Sequence, residues 1–573
     1  MPTSSGALID SSPVDYVMVA LYFVFVIGIG VVLRRSVSGS MDFFLAGRSL
    51  PAWVTGLAFI SANLGAVEVM GMSATGAQIG VATVHYFWVG AIPAMLFLGV
   101  VMMPFYYGSK VRSVPEFMLR RFGTGAHLVN ALSFAVAQLL VAGVNLYLLA
   151  SIIKALLGWP QWVALVVAAA IVLSYITLGG LSAAIYNEVL QFFVIVAALV
   201  PLTILGLNRV GGYSALKEKI TSAAAANPRI TPADQQLHSW PGNALSGFNS
   251  DLLSVVGIVF GLGFVLSFGY WTTNFVEVQR AMASESMSAA RKTPIIGSFP
   301  KMLVPFIVIL PGMIAAVLVP EIAALKNGGA PTGGASGKGV TYNDSLLLLM
   351  RDVLPNGLLG LAIAGLLAAF MAGMAANVSA FNTVFSYDLW QRYVVKDKPD
   401  HYYLSVGRIA TVVSTVIAIF TALIAGNFSN IMDYIQTLFG FFNAPLFATF
   451  ILGMFWKRMT ATAGWVGLVA GTLAAITVWV LGNPNLIGVF QLPGQGLAFV
   501  AASTAFVVDV IVSVIVSMFT EPKPASELRG LVYSETPKEE LRDPQEATMP
   551  WYRRTVPLAL VSLAMVVVLN FLF

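Results

Sequence analysis

The sequence contains no cysteine and little charge: charged residues make up 10% of its 573 residues, whereas 58% are hydrophobic. The absence of cysteine excludes disulfide bonds and thiolate metal ligands. A soluble domain usually carries about 25% charged residues, so this chain could not cover a water-facing surface of its size. The four histidines are scattered and lack the spacing of a metal site. The composition therefore predicts an all-α polytopic membrane protein.

Fourteen apolar runs are long enough to cross a bilayer, which takes about 20 residues of helix. They lie at 14–34, 50–75, 79–107, 124–156, 160–180, 182–207, 252–279, 294–322, 354–388, 402–424, 428–456, 460–481, 495–519 and 553–573. Their boundaries carry charge or turn residues, such as Arg34-Arg35, Gly179-Gly180 and Lys457-Arg458. Most of the 31 Lys and Arg residues fall in odd-numbered connections, which the positive-inside rule places in the cytoplasm. An even number of spans then predicts both termini outside.

Two predicted spans carry small or polar residues where a membrane helix is normally apolar. The span 50–75 has SANLG at its centre, and the span 252–279 has four glycines, at Gly257, Gly261, Gly263 and Gly269. Glycine destabilises a helix by about 1 kcal/mol relative to alanine. Unwound backbone is tolerated within a membrane only where it lines a cavity or is buried in protein. Glycines can also simply allow close helix packing, but paired interruptions favour a transporter site.

The two interrupted spans are five spans apart. Because five is odd, a second five-helix copy would enter the membrane from the opposite face. We therefore predict a single transmembrane domain over 1–573 that contains an inverted repeat. Its first copy is predicted at 50–207, its second at 252–456, and peripheral C-terminal helices at 460–573.

Three ionisable residues lie within or near predicted spans, where a charge is costly and usually functional. Lys301 could face a cavity or extend to the membrane interface, and Glu188 could be an interfacial carboxylate. Glu68 lies past the middle of its span and has no such route to water. Glu68 and Lys301 could themselves form an ion pair.

Four segments carry a family resemblance: DFFLAGRSLPAWVTGLAFISANLGA, ITLGGLSAAIYNEVLQFF, YWTTNFVEVQRAMA and FILGMFWKRMTATAGWVGLVAG. They resemble the sodium:solute symporter family, in particular its bacterial sodium/galactose and animal sodium/glucose branch. The resemblance extends over the first twelve predicted spans. It implies about fourteen helices with a LeuT-type five-helix inverted repeat, and secondary active symport in the cell membrane. It also implies Na⁺ as the coupling ion and no other cofactor.

The resemblance implies several solute-binding positions that are kept here. The lysine of the predicted span 294–322 is Lys301, and the glutamine of the span 428–456 corresponds to Gln436. The tyrosine that closes the inner gate is Tyr270, and Trp271 follows it.

Other sugar ligands implied by the resemblance are replaced. A glutamine becomes Glu68, a glutamate becomes Phe87, an asparagine becomes Ser267, and a serine one turn beyond Phe87 becomes Gly90. Replacing a buried carboxylate by phenylalanine removes a hydrogen-bond acceptor, and a solute hydroxyl left unpaired costs about 1–3 kcal/mol. These changes argue against galactose itself as the solute.

The resemblance also implies a sodium site, which this sequence completes only in part. The backbone carbonyl ligands of the family correspond to Ser61, Leu64 and Ala369. The two hydroxyl ligands correspond to Ala372 and Gly373, neither of which can bind an ion through its side chain. We therefore expect weak or absent sodium dependence, and we expect Ala372→Ser with Gly373→Ser to add two oxygens at little volume. Asn377, Ser379 or water could also supply oxygens.

Glu188 occupies the place of a family aspartate on the inner ion route, so an acid is kept there. Proton coupling through Glu68 or Glu188, and transport without any ion, remain alternatives to sodium coupling. A membrane solute sensor could use the same site, although the connection 520–552 is short for a signalling domain. The sequence shows no nucleophile–base pair of the kind that would indicate an enzyme. The sequence thus predicts a transporter of a small polar solute, a sugar or polyol, that works by alternating access and has the lipid bilayer but no nucleic acid as a partner.

Overall fold

The computed structural model describes nearly the whole chain, and the described residues are predominantly helical. They are 8–33, 45–65, 67–228, 230–330, 339–426, 428, 430–484, 486–492 and 495–573. The principal helices are α1 (Pro13–Leu33), α2 (Ala52–Asn63), α3 (Val67–Gln78), α4 (Val81–Gly108), α5 (Thr124–Leu157), α6 (Gln161–Val210), α7 (Asp251–Thr273), α8 (Phe275–Met282), α9 (Met287–Leu318), α10 (Leu358–Val394), α11 (Asp400–Ala425), α12 (Ile431–Phe455), α13 (Ala461–Gly482), α14 (Gly496–Phe519) and α15 (Thr555–Leu572).

Each of the fourteen predicted apolar runs falls on one or two of these helices. Among the described residues, eleven helices are long and apolar enough to cross a membrane, and the bent pair of α2 and α3 makes a twelfth. Two shorter apolar stretches, Pro13–Ile29 and Gln161–Leu173, account for the remaining runs. The number of crossings and the placement of the termini stay predictions.

The glycine pair at 179–180, predicted to separate two helices, falls within α6, a single helical element of 50 residues from Gln161 to Val210. A helix rises 1.5 Å per residue, so α6 is about two and a half times as long as a bilayer span needs. The division into the runs 160–180 and 182–207 stays a prediction.

The predicted interruption of the span 50–75 lies between α2 and α3, which are bent by 54° relative to each other. α2 ends at Asn63, and Leu64 leaves the helical conformation with φ −68° and ψ 38°. The N–H group of Leu64 still donates to the carbonyl of Ile60 at 2.8 Å. The last carbonyls of a helix lack their helical donors, so this break leaves backbone oxygens free for other ligands.

The glycine-rich span 252–279 is interrupted at a different place from the one expected. α7 continues through the glycines with π-helical geometry over Gly257–Ser267, and the helix ends only before Asn274. There, Asn274 adopts an extended conformation and its side chain accepts a hydrogen bond from the N–H group of Val276 at 3.0 Å, which begins α8. Gly269 instead serves packing, because a Cβ atom built on it would lie 2.8 Å from the carbonyl oxygen of Asn443.

Helix packing brings the interrupted region to the centre of the molecule. α9 lies against both α2 and α3, and α10 packs against α6 and α5. α13 and α14 pack on each other and on α12. The break between α2 and α3 is thereby enclosed by α5, α9 and α10, and its freed backbone groups face protein and not lipid.

Candidate transport site

A cavity of about 110 Å³ lies beside the break between α2 and α3. One water needs roughly 10–15 Å³ on this measure, so the cavity has room for several waters or a small solute. All seven solute-binding positions predicted from the sequence line it: Glu68, Phe87, Ser267, Tyr270, Trp271, Lys301 and Gln436. Further polar lining groups are Asn63, Gln138, Asn145, Asn274 and Asn377.

Lys301 does not extend to the membrane interface but pairs with Glu68 in the cavity wall. Its Nζ atom donates to both carboxylate oxygens of Glu68, at 2.6 Å to Oε2, and to Oδ1 of Asn63. Lys301 is 1% exposed and Glu68 is 7% exposed. A buried pair of this kind contributes little net stability, but removing one partner costs about 3–5 kcal/mol.

Aromatic rings cover the remaining sides of the lysine. The Nζ atom of Lys301 lies 5.0 Å from the ring centroid of Phe87 and 5.1 Å from that of Trp271. A cation over an aromatic face gains about 0.5–2 kcal/mol. Phe87 thus contacts the ammonium group of Lys301 but offers no hydrogen-bond acceptor to a solute.

Two of the other replacements compensate for each other in space. A Cβ atom built on Gly90 would lie 2.2 Å from the hydroxyl oxygen of Ser267, which is closer than any real contact allows. The hydroxyl of Ser267 therefore fills the volume where the resemblance places a serine at position 90. One hydroxyl remains where the related sugar sites have a serine and an asparagine.

Tyr270 joins the cavity to a buried acid that the sequence analysis missed. Its hydroxyl accepts a hydrogen bond from Nδ2 of Asn63 at 3.0 Å and donates to Oε1 of Glu277 at 2.7 Å. Its ring packs on Phe439 with centroids 4.6 Å apart. Glu277 lies two residues from the end of the predicted span 252–279, and an acid within a predicted span is the signal that could have identified it.

Two of the predicted sodium positions, Ala369 and Gly373, lie against the break that follows α2. A Cβ atom built on Gly65 would lie 3.2 Å from Cα of Gly373 and 3.6 Å from the carbonyl oxygen of Ala369. The remaining predicted positions, Ser61, Leu64 and Ala372, are fully buried.

A side chain that the sequence analysis did not single out fills the place of a missing hydroxyl. Asn145 of α5 is 3% exposed, and its Oδ1 atom has no hydrogen-bond partner among the described residues. Its Nδ2 atom donates to the carbonyl of Val141 at 3.2 Å, which directs Oδ1 away from that helix turn. A Cβ atom on Gly373 would lie 2.9 Å from this oxygen. A serine at 373 would therefore require the Asn145 side chain to move.

Glu188 is not in the cavity. Its carboxylate accepts hydrogen bonds from Arg280, at 2.6 Å from one terminal nitrogen and 3.3 Å from Nε, and both side chains are fully buried. The predicted acid on the inner ion route is thus held by an arginine of α8. Among the described residues, no group of three or more His, Asp or Glu side chains could hold a metal ion.

A polar cavity at the midpoint of a broken apolar helix, enclosed by many apolar helices, is the site of a membrane transporter. The chain belongs to the sodium:solute symporter family, whose pattern matches residues 43–471. It is thus a multi-pass membrane transporter and not an enzyme.

Relatives and solved structures agree with this assignment. The sodium/glucose cotransporter of Vibrio parahaemolyticus is 29% identical over 469 residues, which cover 80% of this chain and 83% of that protein. Human sodium/glucose cotransporter 4 is 29% identical over 91% of this chain and 78% of its own length. Rat sodium/myo-inositol cotransporter 2 is 27% identical over 82% and 70%.

A substrate-bound, outward-open Na⁺-coupled sialic acid symporter has the same fold. It superimposes with a TM-score of 0.71 at 19% identity, over 90% of this chain and 99% of that one. At this identity the likeness shows a common architecture and leaves the solute to be inferred from the site itself.

Proposed function

We propose that this protein is a sodium-coupled symporter of an uncharged, polyhydroxylated solute such as a sugar or polyol, and that it works by alternating access. The observation that carries the proposal is the buried pair of Lys301 and Glu68 in the wall of an aromatic-lined cavity. The proposal rests on the charge balance of that wall and on the chemistry of its other lining groups.

The charge balance favours an uncharged solute. Lys301 and Glu68 neutralise each other at hydrogen-bond distance, so an anion would have to displace Glu68 and a cation would have to displace Lys301. Amide and hydroxyl groups of Gln436, Asn274 and Ser267 can exchange hydrogen bonds with solute hydroxyls. The glucose and myo-inositol named for the related cotransporters are solutes of this kind.

Asn145 supports sodium as the coupling ion. Sodium is a hard cation that prefers oxygen ligands, and an unpartnered buried amide oxygen is a ligand that costs nothing further to desolvate. Oδ1 of Asn145 lies beside Gly373, where the resemblance places a family hydroxyl. Together with the backbone carbonyls near the break that follows α2, this oxygen supplies a ligand in place of one of the two missing family hydroxyls.

The proposal is tested by uptake into proteoliposomes with imposed sodium or proton gradients. The panel compares neutral sugars and polyols with sugar acids and amino sugars of similar size. We expect accumulation of a neutral member driven by a sodium gradient, and loss of that accumulation in Lys301→Gln. Lys396→Gln, which changes an exposed lysine, is the matched control. Preferential uptake of a charged sugar, or accumulation that ignores sodium, would contradict the proposal.

A further inference from the structure

Five buried ionisable side chains lie near one another, beginning in the cavity wall. Lys301 contacts Glu68 and Asn63, Asn63 contacts Tyr270, and Tyr270 donates to Glu277. Arg280 follows Glu277 by three residues on α8 and binds Glu188. All five ionisable side chains, Glu68, Lys301, Glu277, Arg280 and Glu188, are 7% exposed or less.

The charges of these five side chains do not balance. Three carboxylates face two cations, and each cation is already hydrogen-bonded to a carboxylate: Lys301 to Glu68 and Arg280 to Glu188. Glu277 is the carboxyl group left over. It makes no ion pair among the described residues, and its Oε2 atom is buried without a hydrogen-bond partner there. An isolated ionised carboxylate is far more costly to bury than a neutral carboxylic acid.

We propose that Glu277 is a proton-binding site: its carboxyl group carries a proton in the conformation described here, holds it more tightly when Tyr270 moves away, and releases it more readily when Tyr270 donates to it. This inference goes beyond the proposed solute and ion. Proton coupling had been considered at Glu68 and Glu188, but each of these has its charge balanced by a buried cation. Glu277 does not.

The surroundings of Glu277 favour a proton over a metal cation. Sodium needs several oxygen ligands, whereas the described residues place a single hydrogen-bond partner, the Tyr270 hydroxyl, on this carboxyl group. The ionisable groups that act on Glu277 are Tyr270 of α7, Arg280 of α8, Lys301 of α9 and Glu188 of α6. The two cations attract a charge on Glu277 but are each engaged by another carboxylate.

The position of Glu277 links a proton bound there to the movement of Tyr270. Tyr270 is the residue that the resemblance assigns to the inner gate, and its hydroxyl lies between Asn63 in the cavity wall and Glu277. A movement of Tyr270 toward or away from the cavity must make or break the hydrogen bond to Glu277. The hydrogen bond from Tyr270 stabilises the ionised form of Glu277. Its loss therefore makes the carboxyl group hold a proton more tightly, and its formation when Tyr270 returns favours release of the proton. Any proton held at Glu277 is therefore coupled to the gate.

The proposal is tested by infrared spectroscopy on the purified full-length protein in lipid, without any solute. The C=O stretch of a protonated carboxyl group is followed as pH is raised, and variant spectra are subtracted from those of the unmodified protein. We expect Glu277→Gln to remove one titrating component near neutral pH. Glu277→Asp should keep it at a shifted frequency, which separates a lost proton site from a misfolded protein.

Two further variants sharpen the test. Tyr270→Phe removes the donor to Oε1, so the midpoint of the Glu277 component should move about one unit to higher pH. Asp509→Asn is the matched control, because Asp509 is also fully buried and, in the part of the chain that the structure describes, its carboxylate accepts hydrogen bonds only from the hydroxyls of Thr449 and Ser513. It should leave the Glu277 component in place.

Two results would overturn the proposal. Identical C=O bands of protonated carboxyl groups at every pH in the unmodified protein and in Glu277→Gln would show that Glu277 is ionised throughout. A Glu277 component that disappears on adding sodium at constant pH would assign the missing positive charge to sodium. Neither result depends on the solute, so failure here is distinct from failure of the proposed transport function.

Discussion

Glu68 and Lys301 connect the two predicted repeats through one buried ion pair. Glu68 lies on α3, within the first predicted repeat, and Lys301 lies on α9, within the second, and their side chains meet at 2.6 Å between Nζ and Oε2. In an alternating-access transporter the repeats move relative to each other around a central site. This pair therefore holds the site together at the place where relative movement would occur, and its energetics can be measured separately from solute binding.

Glu68→Gln should lower both uptake and thermal stability. It leaves Lys301 without a counter-charge in a buried site, which costs about 3–5 kcal/mol where water cannot enter. Replacing both partners, as Glu68→Leu with Lys301→Met, should recover much of the melting temperature but not uptake, because an apolar pair fills the space without unpaired charge. Melting curves in detergent give the double-mutant cycle. Strictly additive effects would disprove the pairing.

Moving the acid to position 87 should rescue the lysine. Glu68→Gln with Phe87→Glu keeps one carboxylate in the cavity wall, and the ring centroid of Phe87 is only 5.0 Å from Nζ of Lys301. We expect this double variant to be more stable than Glu68→Gln alone and to shift solute preference in the uptake panel. Glu68→Gln with Phe87→Gln has nearly the same shape without the charge and is the control. Equal melting temperatures of the two double variants would contradict the prediction.

Some parts of the fold and site followed from the sequence, and others could not. The apolar runs and the break in 50–75 were predictable because length, hydropathy and small polar residues act locally. The end of α7 before Asn274, beyond its glycines, was not, because a glycine permits either a break or a continued helix until neighbouring helices pack. Asn145 was missed for a similar reason: its distance to Gly373 depends on the crossing of α5 and α10 and leaves no mark on the local sequence.

Gly269→Ala should destabilise the protein, although the four glycines of α7 look alike in the sequence. Its new Cβ atom would lie 2.8 Å from the carbonyl oxygen of Asn443 on α12, and backbone cannot yield as a side chain can. Overpacking of this kind typically costs about 1–3 kcal/mol. Gly28→Ala on α1 is the matched control, because its Cβ atom would meet nothing within 4 Å, and the higher helix propensity of alanine should leave it neutral or slightly stabilising. Equal melting temperatures would show that α7 and α12 are less closely packed than described.

A serine at position 373 should be able to replace Asn145 as the source of one sodium ligand, but the two side chains should not supply a ligand together. Asn145→Ala removes the amide oxygen and should raise the sodium concentration for half-maximal uptake about tenfold, which corresponds to about 1.4 kcal/mol. Gly373→Ser alone should also impair uptake, because its Cβ atom would lie 2.9 Å from Oδ1 of Asn145 and displace that side chain. Combining the two changes removes the clash and returns an oxygen to the place where the resemblance puts a family hydroxyl. The double variant should therefore bind sodium better than either single variant.

Sodium titrations of uptake at a fixed solute concentration make the comparison, with proton-driven uptake measured in parallel. If Asn145→Ala leaves the sodium dependence unchanged while the protein remains folded, the amide oxygen is not a ligand, and the missing hydroxyls of Ala372 and Gly373 are replaced by water or are not replaced at all.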